Sequence, residues 1–149
     1  MNFQKLTRMM NEDYDLTELF ARINKKSGHR KRPSQEEHNI QCACVRWFGL
    51  QYPNLKNRLF AVPNGGRRDQ VTATKLKAEG VVAGVADLIL LKRNRDYGAL
   101  LIEMKTSTGR QSESQKKWQS SLCSEGEYKY VVCRSVDDFI REVNDYLTH

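Results

Sequence analysis

The sequence predicts an α/β domain, a small mixed sheet flanked by helices, and three observations carry that prediction. Two apolar runs with strand character, residues 84–91 and 99–105, are joined by the polar, turn-prone segment Arg93-Asn94-Arg95-Asp96-Tyr97-Gly98, so an antiparallel hairpin is expected. Strand character recurs at residues 59–62 and 128–133. Around these strands lie segments with apolar residues at helical spacing, several of them opened by helix-start signals. At 149 residues the chain is long enough to bury the core of one domain.

Taken in order, Leu16, Leu19, Phe20 and Ile23 predict a short amphipathic helix over residues 12–26. A basic linker follows, Lys25-Lys26-Ser27-Gly28-His29-Arg30-Lys31-Arg32-Pro33, which reads either as a solvated connector or as an arm on nucleic-acid phosphate. Ser34 with Glu37 matches a capping box behind Pro33, and Ile40, Ala43, Cys44, Trp47 and Phe48 form the buried stripe of the helix it opens. Glu37 lies three residues before Ile40, on the core-facing side, so it either caps the helix or serves a site. The strand at 59–62 leads into the turn Pro63-Asn64-Gly65-Gly66, then Arg67 and Arg68. A helix over residues 69–79 ends at Gly80 as its C′ residue. After the hairpin come a polar loop at 106–110, a helix from Ser112 to Leu122 with Gln115 completing a second capping box, a strand at 128–133 and a helix over 136–147.

Twenty-five basic against eighteen acidic residues give a net charge of +7, which favours a polyanionic partner without specifying one. No apolar run approaches a membrane span and the N-terminus lacks an apolar signal core, so no membrane association and a cytoplasmic location are expected. Cys42, Cys44, Cys123 and Cys133 show neither a CxxC pair nor zinc spacing and read as small core hydrophobes. The histidines at 29, 38 and 149 are too scattered for a His-based site.

The hairpin carries the chemistry. Asp87 and Glu103 each stand where an apolar strand would place a core residue, and burying a lone carboxylate is costly. Glu103 and Lys105 share a face, roughly 6–7 Å apart at about 3.3 Å per residue. A loop centred on Arg95 sets Asp87 opposite Glu103, a like-charge pair that gains sense with a cation between the acids. Mg²⁺ or Mn²⁺ suits such hard oxygen donors, and Lys105 can orient or help deprotonate an attacking water or steady charge on a phosphate. The competing reading is a solvent-facing edge hairpin with a Glu103–Lys105 pair worth under about 1 kcal/mol. Asn64-Gly65-Gly66 is either an ordinary tight turn or, with Arg67 and Arg68, a phosphate-binding turn; Arg110, Lys116 and Lys117 would extend that footprint. Trp47 and Trp118 fall on apolar helix sides and read as core residues.

The order Glu37, then Asn64-Gly65-Gly66 with Arg68, Leu76-Lys77-x-x-Gly80, Gly84-Val85-Ala86-Asp87, Glu103-Met104-Lys105 and Gln115 resembles the virus-type replication–repair nuclease (VRR-NUC) domain, between residues 36 and 146. The resemblance implies a PD-(D/E)xK, restriction-endonuclease-like core over residues 34–149, and the amphipathic helix and basic linker read within residues 1–33 stand apart from it. It further implies a Mg²⁺- or Mn²⁺-dependent endonuclease acting on DNA phosphodiesters. Asp87 and Glu103 would hold the metal, with the Met104 backbone carbonyl as a further ligand. Lys105 matches the catalytic lysine, Glu37 the helix acid that supports the metal through water, and Gln115 the glutamine after the motif. Stand-alone phage-type members are homodimers acting on branched DNA such as four-way junctions, so a homodimer on branched or duplex DNA in a phage-infected or bacterial cell is expected. The chain departs from the pattern at Ala86, where the superfamily name has proline, and in residues 1–33, which read as a dimer element, a DNA-binding arm or a leader. The rivals are a non-cleaving DNA-binding accessory protein and a restriction-type or RNA-directed nuclease on the same fold.

Overall fold

A computed structural model describes residues 33–63 and 70–149. The helix expected over 12–26, the basic linker before Pro33 and the Asn64-Gly65-Gly66-Arg67-Arg68 segment lie outside the described residues. Within them the order is α1 (Pro33–Gln51), a 3-10 turn (Pro53–Arg58), β1 (Leu59–Ala61), α2 (Gln70–Ala78), β2 (Leu88–Leu90), β3 (Ala99–Met104), α3 (Glu113–Cys123), β4 (Tyr128–Cys133) and α4 (Val136–Thr148).

The four strands form one mixed sheet in the order β1-β2-β3-β4. β1 and β2, and β2 and β3, pair antiparallel, whereas β3 and β4 run parallel. β3 is buried along its whole length, as a strand flanked on both edges and covered on both faces must be. On one face Leu88, Leu90, Leu100, Ile102, Met104 and Cys133 are fully or almost fully buried under α1 and α4. Trp47 stands edge-on to Tyr52 and to Phe139, with ring centroids 5.8 and 6.0 Å apart, so α1 and α4 meet through aromatic rings. The Tyr52 hydroxyl donates to Asn144 Oδ1 at 2.6 Å and pins the end of α1 to α4. α3 lies against the opposite face, where Leu101, Glu103 and Tyr130 project.

Local signals account for most boundaries. α2 closes with the hydrogen bonds of a Schellman motif, Val81 N to Leu76 O and Gly80 N to Lys77 O, around Gly80 at φ +94°. The hairpin loop is folded by Asn94, whose Oδ1 accepts from the amides of Asp96 and Tyr97. α4 starts at Ser135, whose side chain accepts from Asp138 N at 3.0 Å. Ser135→Ala removes that cap, and the urea midpoint is expected to fall by the equivalent of about 1 kcal/mol.

The sequence reading needs three corrections. The strand expected over 84–91 is only Leu88–Leu90, because Gly84 at φ +85° makes a turn and the chain still bends at Asp87 before it extends at Leu88. The 3-10 turn Pro53–Arg58 was not foreseen. Of the four cysteines, all free, Cys44 and Cys133 are core residues but Cys42 is exposed and Cys123 half-buried. Cys42 is two residues from Cys44 on α1, so only one of them can face the sheet.

Candidate active site

Asp87 and Glu103 reach the site from neighbouring strands. The register pairs Leu88 with Ile102, so one step on places Asp87 opposite Glu103, as a loop centred on Arg95 requires. The β2–β3 ladder stops at Leu88, and the Met104 amide instead donates to Asp87 Oδ2 at 2.8 Å. The aspartate thus caps the ladder where it ends. Its own carbonyl accepts from Val62 N at 2.9 Å, which ties it to the β1 side of the sheet.

Glu103 has no solvent exposure and Lys105 only 8%. This rules out the solvent-facing hairpin. Lys105 Nζ donates to Glu103 Oε1 at 2.5 Å and to the Met104 carbonyl at 3.1 Å. Gln115 Nε2 donates to the same Oε1, and the Tyr130 hydroxyl donates to Oε2 at 3.1 Å. Burial pushes the Glu103 carboxyl up to about 7; the Lys105 hydrogen bond pulls it down, and the Asp87 charge adds to the rise. Burial, and the Glu103 charge beside it, hold the Tyr130 phenol well above its ordinary range, so it stays a donor.

α3 supplies Gln115 through a capping box. Ser112 Oγ accepts from Gln115 N, and Gln115 Oε1 accepts from Ser112 N at 2.7 Å. One side chain therefore closes the helix start with its oxygen and holds Glu103 with its nitrogen. Gly84 lets the segment before Asp87 lie against this turn, since a Cβ there would stand 2.3 Å from Ser114 O. Beside it a groove of about 490 Å³ runs past Thr74, Lys77 and Ser112 to Gln115.

Glu37 does reach the end of β3: its Oε1 accepts from Thr106 N at 3.3 Å, immediately after Lys105. Arg110, Lys116 and Lys117 are exposed, and Lys116 is paired with Glu113 at 2.9 Å. Trp47 is buried, and Trp118 is half-buried against Tyr130.

Sequence reasoning missed Tyr130 and Arg134. The parallel β3–β4 register sets Leu101 beside Tyr130 and so puts the phenol on the Glu103 face; a strand order was needed to see it. Arg134 Nη1 donates to the carbonyls of Thr106 and Gly109, both at 2.7 Å, and folds the loop after Lys105. Its position directly after β4 was the only hint.

Among the described residues no group of three or more His, Cys, Asp or Glu side chains gathers to hold a metal unaided. The available donors are two carboxylates and a backbone carbonyl, the set that Mg²⁺ or Mn²⁺ takes when waters and substrate phosphate complete its shell. A buried carboxylate facing a second one, with one ammonium bonded to it, also fits a cation.

A mixed sheet between helices, with two acids and a lysine where β2 begins and β3 ends, defines a nuclease-type α/β domain. Residues 29–137 match the VRR-NUC domain. The chain belongs to the VRR-NUC family. A solved protein described as a VRR_NUC domain protein is 25% identical, with a TM-score of 0.64 over 75% of this chain and 88% of its own. No curated protein matches the chain. The family is one of nuclease domains, with DNA as the corresponding substrate class. No helix among the described residues is long and apolar enough to cross a membrane.

Proposed function

We infer that the chain is a Mg²⁺- or Mn²⁺-dependent DNA endonuclease. The observation that supports this most directly is the convergence of Asp87 and Glu103 from paired strands, with the Lys105 ammonium bonded to Glu103. Asp87, Glu103 and the Met104 carbonyl would hold the cation, which when bound polarises the scissile phosphate and makes a water more acidic. Lys105 orients the attacking water or steadies the charge that builds on the phosphate. The water oxygen bonds to phosphorus, a phosphorus–sugar oxygen bond breaks, and the departing oxygen takes a proton, leaving a phosphomonoester and a free hydroxyl. Glu37 keeps Thr106, and so the end of β3, in place. Asn64, Gly65, Gly66, Arg67, Arg68, Arg110, Lys116 and Lys117 are the proposed contacts to DNA phosphate. The preference for branched DNA and the homodimer belong to the same proposal and rest on the family likeness.

The test uses the purified full chain with a four-way junction, a flap, duplex and single-stranded DNA, in Mg²⁺, Mn²⁺ or EDTA, beside Lys105→Ala. Expected are cleavage with metal, none in EDTA, a higher rate on branched substrates and a loss of roughly a hundredfold or more in Lys105→Ala. Cleavage that persists in EDTA, or at full rate in the variant, overturns the mechanism. Binding without cleavage establishes the accessory protein instead. A solution mass measurement decides the dimer.

A further inference from the structure

We propose that Tyr130 is a positioning residue for Glu103, the last donor in a one-way hydrogen-bond chain that starts at Gln111, itself anchored on Gln119, and sets how the carboxylate faces a divalent cation. This rests on the metal-dependent reading above. The terminal torsion of a glutamate is broad and roughly two-fold, so a carboxylate is fixed only when both of its oxygens are held. On Oε1, Lys105 and Gln115 do the holding. On Oε2 the Tyr130 hydroxyl is the protein donor, at 3.1 Å.

The direction of that donor is itself fixed. Gln111 Nε2 donates to the Tyr130 oxygen at 3.3 Å and to Gln119 Oε1 at 2.9 Å. A phenol has one proton; with its oxygen accepting from Gln111, that proton goes to Glu103, which as a carboxylate can only accept. The ring is held in turn by Trp118, whose centroid lies 6.2 Å away. Each carboxylate oxygen offers about two acceptor sites, so Oε1 is filled and Oε2 keeps one. The remaining site is the one a cation would use, and Tyr130 decides where it points. Trp118 and Gln119 belong to α3 and Tyr130 to β4, so the chain braces the β3 acid from two other elements.

Tyr130→Phe keeps the ring and removes only the hydroxyl. Mn²⁺ binding to the full chain without DNA, followed by calorimetry, should weaken by roughly tenfold to a hundredfold, the usual cost of losing a partner to a metal ligand. Gln111→Met should weaken it less. On DNA, KM should stay at the wild-type value while the rate lost at low Mg²⁺ returns at saturating Mg²⁺, a recovery that a merely structural defect would not give. Wild-type affinity in Tyr130→Phe overturns the inference; if that variant does not fold, wild-type affinity in Gln111→Met overturns it. A wild-type chain that binds no Mn²⁺ overturns the metal-dependent reading itself.

Discussion

Glu103→Gln is expected to abolish the proposed metal-dependent cleavage and to flatten the pH dependence of the metal-free protein's stability. The amide keeps the shape of the side chain but loses the charge that a cation needs. In the metal-free wild type the folded-state carboxyl titrates at about 7, against 4.5 for the ordinary group. The folded protein therefore holds this proton more tightly than the unfolded chain. Its contribution is fully present below about 4.5, falls as the unfolded chain ionises, and is lost once the pH has passed about 7. The whole change is up to about 3 kcal/mol. Thermal melts from pH 4 to 8 in EDTA should fall across that window in the wild type and run nearly level in Glu103→Gln. Slopes are the quantity to compare, since the amide also leaves Lys105 without its counter-charge and shifts the whole curve. Added Mn²⁺ should raise the wild-type midpoint at pH 8 more than at pH 5, and the variant's at neither. A wild-type curve level from pH 4.5 to 7 would count against the burial cost assigned to Glu103.

Gly84→Ala is the second large effect. Gly84 has φ +85°, and an added Cβ would lie 2.3 Å from Ser114 O, 2.4 Å from Ser114 C and 2.7 Å from Gln115 N. All three are backbone atoms of the first turn of α3, so no side chain can swing aside. Positive φ costs an alanine about 1 kcal/mol, and forced overpacking adds about 1–3 kcal/mol. Gly126→Ala separates the two terms, because Gly126 has φ +72° but nothing within 4 Å of its Cβ position. Urea unfolding should place Gly126→Ala about 1 kcal/mol below wild type and Gly84→Ala clearly lower still. Equal losses in the two variants would mean that the segment before Asp87 does not press on α3.

The hairpin was readable because two signals agreed. Its polar loop centres on Arg95, and the sum of positions that puts Leu88 opposite Ile102 also puts Asp87 opposite Glu103. Gln115 was read twice, as a capping residue and as the glutamine after the motif; the cap is present, and the same side chain reaches Glu103. Glu37 was ambiguous because helical spacing gives a direction but no partner; that partner is the Thr106 amide, 69 residues away. Tyr130 escaped because its role depends on β4 lying parallel beside β3, and local periodicity says nothing about which strands are neighbours. The strand over 84–91 was overdrawn for a related reason. Apolar residues there serve a turn packed on α3, and an apolar run does not reveal which element covers it.

The divided amide of Gln115 makes helix fraying and site assembly one event. When the first turn of α3 opens, Ser112 loses its reciprocal bonds and Glu103 loses a donor at the same moment. Amide hydrogen exchange at Gln115 and Lys116, whose amides are bonded to Ser112, is therefore a direct gauge of how often the acid is released. A cation that fixes Glu103 should slow exchange at those two amides, at a helix end where exchange is otherwise fast.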